Sequence, residues 1–514
     1  MKKLLTLFFI ATALSSSAQV SYLSKWVQQK KAQAIVFTPV QAFSLISSKK
    51  LKGRGVYQQL KLNNGFLQQV MKERPLALEI PLPLGKSKSL SLELAQYSLG
   101  NIKFTENENI VLEDIQVPVT YRGIIKNETG NNAVMLTVNA NYLSLIITAD
   151  QKNIQVTKAS ETDASLYRLY NSDEVQFPIP SIDCGTKEKA SPLSYNNIII
   201  DGSAPTGVNK VQDKCVNVFV DCFDSLYQNQ LSNKQKTIDF VYELFNSVAT
   251  GYYRDSVNIQ VIGINVWTTA DPYRGDNRDN ALTDLAAKWK DNYWGNICVG
   301  LDFSTILNGR SGLAGDIGRI KAVSTNTCPS YDAANDRSSC CYCDMNYPVN
   351  VTNFPTGPNT NGTQVYLVMH EMGHLLGAHH TKWCGWKISS NPDTYGALDS
   401  CGTREGTCAQ GPPPGGGGAT IMSYCVNGTM FVNFNNGFGQ LPGNAVRSFV
   451  ANSPCLLNCS DCFGLLNLHK KKPGDDMSHV PIRQEDEPPG KSDDYGNTLW
   501  NNNQSLPLSQ KTKQ

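Results

Sequence analysis

Between Val20 and Gln176 the chain has neither a histidine nor a cysteine. Such a region offers no nitrogen or sulfur ligands for a zinc or copper ion, so metal chemistry has to lie further on. Histidine is scarce throughout, with six in 514 residues. No stretch reaches eighteen uninterrupted apolar residues, so no membrane-spanning helix is expected. An excess of one charge is missing too: 46 Lys and Arg against 44 Asp and Glu leave a net +2. That balance removes the electrostatic reason to expect nucleic acid or an anionic membrane as partner.

What is present begins with an address. Met1-Lys2-Lys3 is a short basic head, Leu4 to Leu14 an apolar run too short to span a bilayer, and Ser16 and Ala18 small residues placed for cleavage. This pattern predicts a bacterial-style secretory signal peptide over residues 1–18, cut between Ala18 and Gln19. No cysteine stands at the cut, so a lipid anchor is not expected. The destination is extracellular or periplasmic, where most of the 15 cysteines should pair.

From 19 to about 200 the pattern is that of strands: Leu76 to Leu82, Ser89 to Ala95, Val117 to Tyr121, Val134 to Val138 and Leu143 to Thr148. Turns such as Asn63-Asn64-Gly65 and Thr129-Gly130-Asn131 separate them. This predicts a β-rich globular unit without an active site of its own. Near its end stands Cys184, the only cysteine before Cys215. The fourteen from Cys215 onward are an even number, fit for seven disulfides, which leaves Cys184 over. A thiolate is a strong zinc ligand, so Cys184 is a candidate inhibitory ligand in a zymogen; a free or differently paired cysteine is the alternative. A maturation cut is then expected between Cys184 and Cys215, with Lys187, Lys189, Lys210 and Lys214 as candidate sites.

Residues 210–462 read as a second unit. Val216 to Val220 suits a buried strand, Ile238, Val241, Phe245 and Val248 one stripe of a helix, and Val257 to Val266 a strand. A helix over Ala281 to Lys290 and a strand over Ile297 to Phe303 continue the alternation, which implies a mixed sheet covered by helices. Gly312-Leu313-Ala314-Gly315 suits a sheet edge on which an extended peptide can pair. Cys328, Cys340, Cys341 and Cys343 crowd a polar stretch that is expected to be stapled by disulfides, with structural zinc as the alternative. Cys384, Cys401, Cys408 and Cys425 follow, their pairing undetermined by sequence. From 463 to 514 the composition is polar, mixed in charge and proline-bearing, as in a disordered tail.

The chemistry is concentrated in TQVYLVMHEMGHLLGAHHTKWC, residues 363–384. His370 and His374 are four apart and project from one helix face. Glu371 stands beside them as a carboxylate able to take a proton from metal-bound water. His380, six residues on, would lie roughly 240° around a continuing helix and face away. Gly377 can end the helix in a left-handed turn and let His380 return. The whole is the long H-E-x-x-H-x-x-G-x-x-H pattern. Some forty residues later, after the GPPPGGGG loop, Met422 in ATIMSYC can form a soft apolar floor beneath the imidazoles.

These features together resemble the metzincin clan of secreted zinc endopeptidases. The stretches HEMGHLLGAHHT, CGTREGTC, GGGGATIMSYC and NFNNGFGQLPGNAVRSFV are similar to bacterial reprolysin-like (adamalysin-type, M12B) enzymes, and TYRG (Thr120 to Gly123) with VMLTVNANYLSLII resembles their propeptides. Cys184-Gly185 is similar to the cysteine switch of such zymogens. The resemblance implies an α/β (α+β) metzincin-like protease domain behind a β-rich propeptide. It also implies Zn²⁺ on His370, His374 and His380 with Glu371 as general base and acid. There are two departures: Thr381 stands where animal adamalysins carry aspartate after the third histidine, and Tyr424 stands two residues past the turn methionine, as in astacins and serralysins. The resemblance to those relatives makes Tyr424 a candidate fifth ligand that swings onto the transition state; a structural phenol is the alternative. The expected protein is a monomeric zinc endopeptidase acting on proteins or peptides, with its own propeptide as inhibitor. A catalytically silent zinc module and a zinc hydrolase of another substrate class are the rival readings.

Overall fold

The structure is a computed structural model. It describes residues 21–459 apart from 51–55, 86–87, 129, 150–151, 161, 172–182, 187–213, 290–294, 305–310, 321–336, 347–361, 389–393, 416–417, 426–431 and 457–458. The expected signal peptide, the tail beyond 463, Cys328 and three of the four candidate cleavage lysines (Lys187, Lys189, Lys210) lie outside the described residues.

The N-terminal region supplies β1 (Thr38–Pro39), β2 (Phe43–Lys50), β3 (Val56–Leu62), β4 (Ala77–Pro83), β5 (Ser89–Gln96), β6 (Lys103–Glu106), β7 (Ile110–Val111), β8 (Val119–Ile125), β9 (Ala133–Val138), β10 (Leu143–Ala149), β11 (Lys152–Lys158) and β12 (Leu166–Asn171). All but β6 and β7 form one sheet in the order β1-β4-β5-β8-β9-β10-β11-β12-β3-β2. One face, with Ile80, Leu94, Tyr121, Leu136 and Leu145, shares a core with Phe66, Leu67 and Val70 of the helix Phe66–Glu73. Strands β8, β9 and β10 are buried at every residue. That is why their sequences run almost without charge instead of alternating: the second face is covered as well.

The cover is shared by the helix Tyr22–Ala32, whose Leu23, Trp26 and Val27 pack with Ile124, Met135 and Ile146, and the helix Lys234–Arg254, buried at nearly every position from Thr237 to Tyr253. Asn246 donates through Nδ2 to the Leu136 carbonyl at 3.0 Å and to Thr137 Oγ1 at 2.8 Å, and its Oδ1 accepts from Tyr97 Oη at 2.6 Å. Arg122 is buried among aromatic faces, its guanidinium 3.8 Å from the ring centroid of Tyr253, 4.3 Å from Tyr97 and 4.8 Å from Trp26. Three π faces thus meet the buried cation.

The second sheet belongs to the C-terminal part: β13 (Asp183–Cys184), β14 (Cys215–Cys222), β15 (Asn258–Val266), β16 (Ile297–Asp302), β17 (Ser311–Ala314) and β18 (Cys340–Asp344). Its order is β13-β17-β18-β16-β14-β15-β6-β7. Strands β14, β15, β16 and β18 run parallel, and β17 antiparallel to β18, so the sheet is mixed as expected. Both of its ends are occupied by earlier chain. β6 pairs with β15 from Gly263↔Lys103 to Val266↔Glu106, and β13 pairs with β17. Gly100 permits the first approach, since a Cβ there would stand 2.2 Å from the Val261 carbonyl oxygen.

The cysteines correct the disulfide expectation. Cys215 pairs with Cys459, Cys384 with Cys408 and Cys401 with Cys425, but Cys222, Cys298, Cys340, Cys341 and Cys343 are free thiols. Seven disulfides are therefore not formed, and the parity argument for Cys184 falls with them. The stretch at 340–343 is a central strand, so Cys340 faces Phe219 and Trp289 while Cys341 and Cys343 face the opposite core. Alternation of side chains along a strand prevents one cluster, whether a staple or a zinc knot.

Candidate metal centre

The helix Gly362–Leu375 packs against β17 and β18 and is buried continuously from Gln364 to Leu375. His370 and His374 share its inner face, their ring centroids 4.9 Å apart. Gly377 has φ +94, and the Gly377 amide donates to the His374 carbonyl at 2.8 Å and the Ala378 amide to the Gly373 carbonyl at 2.9 Å. Those are the two bonds of a Schellman ending, and beyond it His380 turns back to within 4.5 Å of His374, ring to ring. Cys184 Sγ and one nitrogen of each of the three histidines lie within 4.8 Å of one another.

The ring tautomers follow from the acceptors. His370 Nδ1 donates to the Ile421 carbonyl at 2.8 Å and His374 Nδ1 to the Ala378 carbonyl at 2.8 Å. His380 Nδ1 donates to Glu405, 2.9 and 3.0 Å from its two oxygens. Carbonyls and carboxylates only accept, so the proton sits on Nδ1 and each Nε2 carries a lone pair. Two of those lone pairs face each other, His374 Nε2 to His380 Nε2, at 2.9 Å. His370 Nε2 has no hydrogen-bond partner and is fully buried. Burial pushes the His370 imidazole down to about 4, and burial together with the neighbouring histidines holds His374 and His380 well below the usual range. Three neutral, convergent nitrogens with a thiol beside them, buried together, suit a cation with tetrahedral N/S preference such as Zn²⁺.

Glu371 is fully buried, and burial raises its carboxyl to about 8. Its Oε2 accepts from Thr186 Oγ1 at 3.3 Å and from Cys184 Sγ at 3.5 Å, while Oε1 has no partner. A Cβ at Gly312 would stand 2.1 Å from that Oε1, so glycine at this point of β17 is what gives Glu371 its place. Burial and the Glu371 charge push the Cys184 thiol up; a cation among the histidines works in the opposite sense.

Met422 is fully buried, and Gly373 leaves room for it, a Cβ there falling 2.9 Å from Met422 Sδ. Thr381, the departure after the third histidine, ties this turn down: its amide and its Oγ1 donate to the Met422 carbonyl at 3.0 and 3.3 Å. Tyr424 donates through Oη to the Cys184 carbonyl at 3.2 Å and lies 3.4 Å from His380 Nε2. All six residues singled out from sequence, His370, Glu371, His374, His380, Cys184 and Tyr424, meet in one place. Sequence reasoning missed Glu405 and Thr186. Glu405 is 25 residues from His380 with no helical or strand spacing to connect them, and Thr186 stands 185 positions from the carboxylate it bonds.

Gly312 also receives the N-terminal region. β13 runs parallel to β17 with Cys184 opposite Gly312, the Gly185 amide donates to the Gly312 carbonyl at 2.9 Å, and Thr186 Oγ1 accepts from the Ala314 amide at 2.9 Å.

Comparison with known proteins gives three likenesses. Residues 212–435 match the reprolysin-like "Metallo-peptidase family M12". The snake venom metalloproteinase-disintegrin-like mocarhagin of Naja mossambica is 25% identical over 178 residues, 34% of this chain and 29% of that protein. The chain thus spans under a third of the length of that curated relative. The crystal structure of metalloproteinase-II from Bacteroides fragilis aligns over 59% of this chain and 81% of its own, with 13% identity and a TM-score of 0.35. Two histidines on a buried helix beside a mixed sheet, with a third returning just beyond the helix end, resemble the metal centre of metzincin-type metallopeptidases. Within that class the likeness is to the reprolysin-type members of family M12, over residues 212–435.

Proposed function

We propose that the chain is a zinc-dependent endopeptidase, secreted as a self-inhibited precursor. The observation that carries this reading is the convergence of three Nε2 lone pairs, a thiol and an unpaired carboxylate oxygen in one buried site. His370, His374 and His380 would hold Zn²⁺, with Cys184 taking the remaining position in the precursor. When bound, the ion lowers the pKa of a water to about 7 and polarises a peptide carbonyl.

The protein's own residues do the rest. Glu371 accepts the proton of the attacking water and delivers it to the leaving amine, general base first and general acid second. The positive charge among the histidines opposes the burial that otherwise keeps Glu371 protonated. The edge of β17 positions an extended substrate by main-chain hydrogen bonds, in the groove now filled by β13. In the precursor Cys184 and Thr186 occupy both halves of the machinery, the ligand position and Oε2 of Glu371. Activation requires a cut between Cys184 and Cys215 and withdrawal of β13. The disulfides at Cys215–Cys459, Cys384–Cys408 and Cys401–Cys425, and no described helix long and apolar enough to cross a membrane, fit export.

The test is hydrolysis of casein or gelatin by the processed form. Chelator and Glu371→Ala should each abolish it, with zinc content lost only in the first case. Activity insensitive to chelator sinks the metal mechanism. A processed, zinc-loaded protein inert on every peptide substrate favours a binding module or another substrate class.

A further inference from the structure

The three histidines are not oriented in the same way. His370 and His374 are fixed by the helix and by neutral backbone carbonyls. His380 lies beyond the helix end and gets no orientation from it. Its Nδ1 is held instead by a side chain, with both oxygens of Glu405 within 3.0 Å.

We propose that Glu405 is the positioning residue of the metal centre, fixing the tautomer and angle of His380 and strengthening its Nε2 as a ligand for a divalent cation. The inference rests on the reading of the three histidines as zinc ligands. Glu405 is itself held on three sides. Its carbonyl accepts from the Cys384 amide at 2.9 Å, its amide donates to the Lys382 carbonyl at 3.1 Å, and the Cys384–Cys408 disulfide closes the loop around it. Lys382 Nζ stands 3.2 Å from Glu405 Oε1 and 3.4 Å from the ring centroid of Tyr424. One ammonium thus partly balances the carboxylate and packs the phenol beside the same histidine. A carboxylate accepting Nδ1–H raises the donor strength of the opposite nitrogen, and loss of such a partner typically weakens metal binding about 10- to 100-fold.

The experiment measures zinc affinity of the full chain by competition with a chromophoric chelator, with no substrate present. Glu405→Ala should weaken zinc about 10- to 100-fold, and the visible absorption of its cobalt(II) form should change. Glu405→Gln, which still accepts Nδ1–H but without charge, should fall between. Arg404→Ala, in the same loop, should match the wild type. Zinc affinity within about twofold of wild type in Glu405→Ala, with an unchanged cobalt spectrum, overturns the proposal and leaves the zinc reading intact. Equal weakening in Arg404→Ala overturns it in favour of loop folding. A wild-type chain that binds no zinc overturns both.

Discussion

Gly312→Ala is the sharpest test of how β17 and the proposed catalytic carboxylate of Glu371 share space. The added Cβ would lie 2.1 Å from Glu371 Oε1, 2.6 Å from its Cδ and 2.7 Å from Leu367 Cδ1. Restoring ordinary contact, 3.4 Å, takes about 1.3 Å of movement by one partner. Gly312 cannot retreat easily, because its strand is paired with β18. Leu367 lies on the rigid motif helix, so Glu371 must turn away. An error of about 1 Å in a catalytic group can cost about 10²-fold in rate, and overpacking a core costs about 1–3 kcal/mol of stability. The histidines are untouched, so zinc content should stay at the wild-type level. The assay is kcat/KM on a quenched-fluorescence peptide with the processed form, beside metal analysis and a urea denaturation curve. A zinc-loaded variant retaining more than about a third of wild-type kcat would refute the argument.

Other outcomes follow from the same geometry. Cys184→Ala in the uncut chain should give measurable premature proteolysis, and adding Thr186→Val should increase it by freeing Glu371 Oε2; a folded, zinc-loaded double variant with no activity counts against the inhibitory role. Tyr424→Phe should lower kcat about tenfold or more with little change in KM if the phenol stabilises the transition state, and steady-state kinetics that show an unchanged kcat exclude that role. In chelator, Glu371→Gln should gain on the wild type in stability as pH rises. Burial raises the folded pKa from 4.5 to about 8, so the native state binds more protons than the unfolded chain and loses stability as pH rises through that window. The difference should widen by on the order of 4 kcal/mol between about pH 4 and pH 8; urea midpoints with a pH-independent difference refute it.

Much of the site was legible because its spacing is local. His370, Glu371 and His374 sit within one helical turn and a half, and Gly377 carries the sign of a helix end in its own residue type. The strands of the N-terminal region were legible for a similar reason, since runs such as Val134 to Val138 advertise burial wherever they lie. The cysteines at 340–343 were misread because density along the chain resembles density in space, and strand alternation separates them onto two faces. Glu405 could not be read at all. Its relation to His380 depends on a loop whose closure, Cys384 to Cys408, has no signature that distinguishes it from the other pairings of four cysteines.

The sequence by itself therefore determined the candidate ligand set, the helix that carries two members of it and the glycine that returns the third. For the histidines each is a matter of backbone geometry within about ten residues. Only the tertiary structure decided that strands of the N-terminal region occupy both ends of the C-terminal sheet, that Cys184 and Thr186 reach the ligand position and the carboxylate together, and that Gly312 makes room for Glu371. Those relations join positions far apart in the chain, 187 residues for Cys184 and Glu371 and 185 for Thr186 and Glu371. Main-chain pairing and close packing, which set them, leave no periodic mark on the sequence.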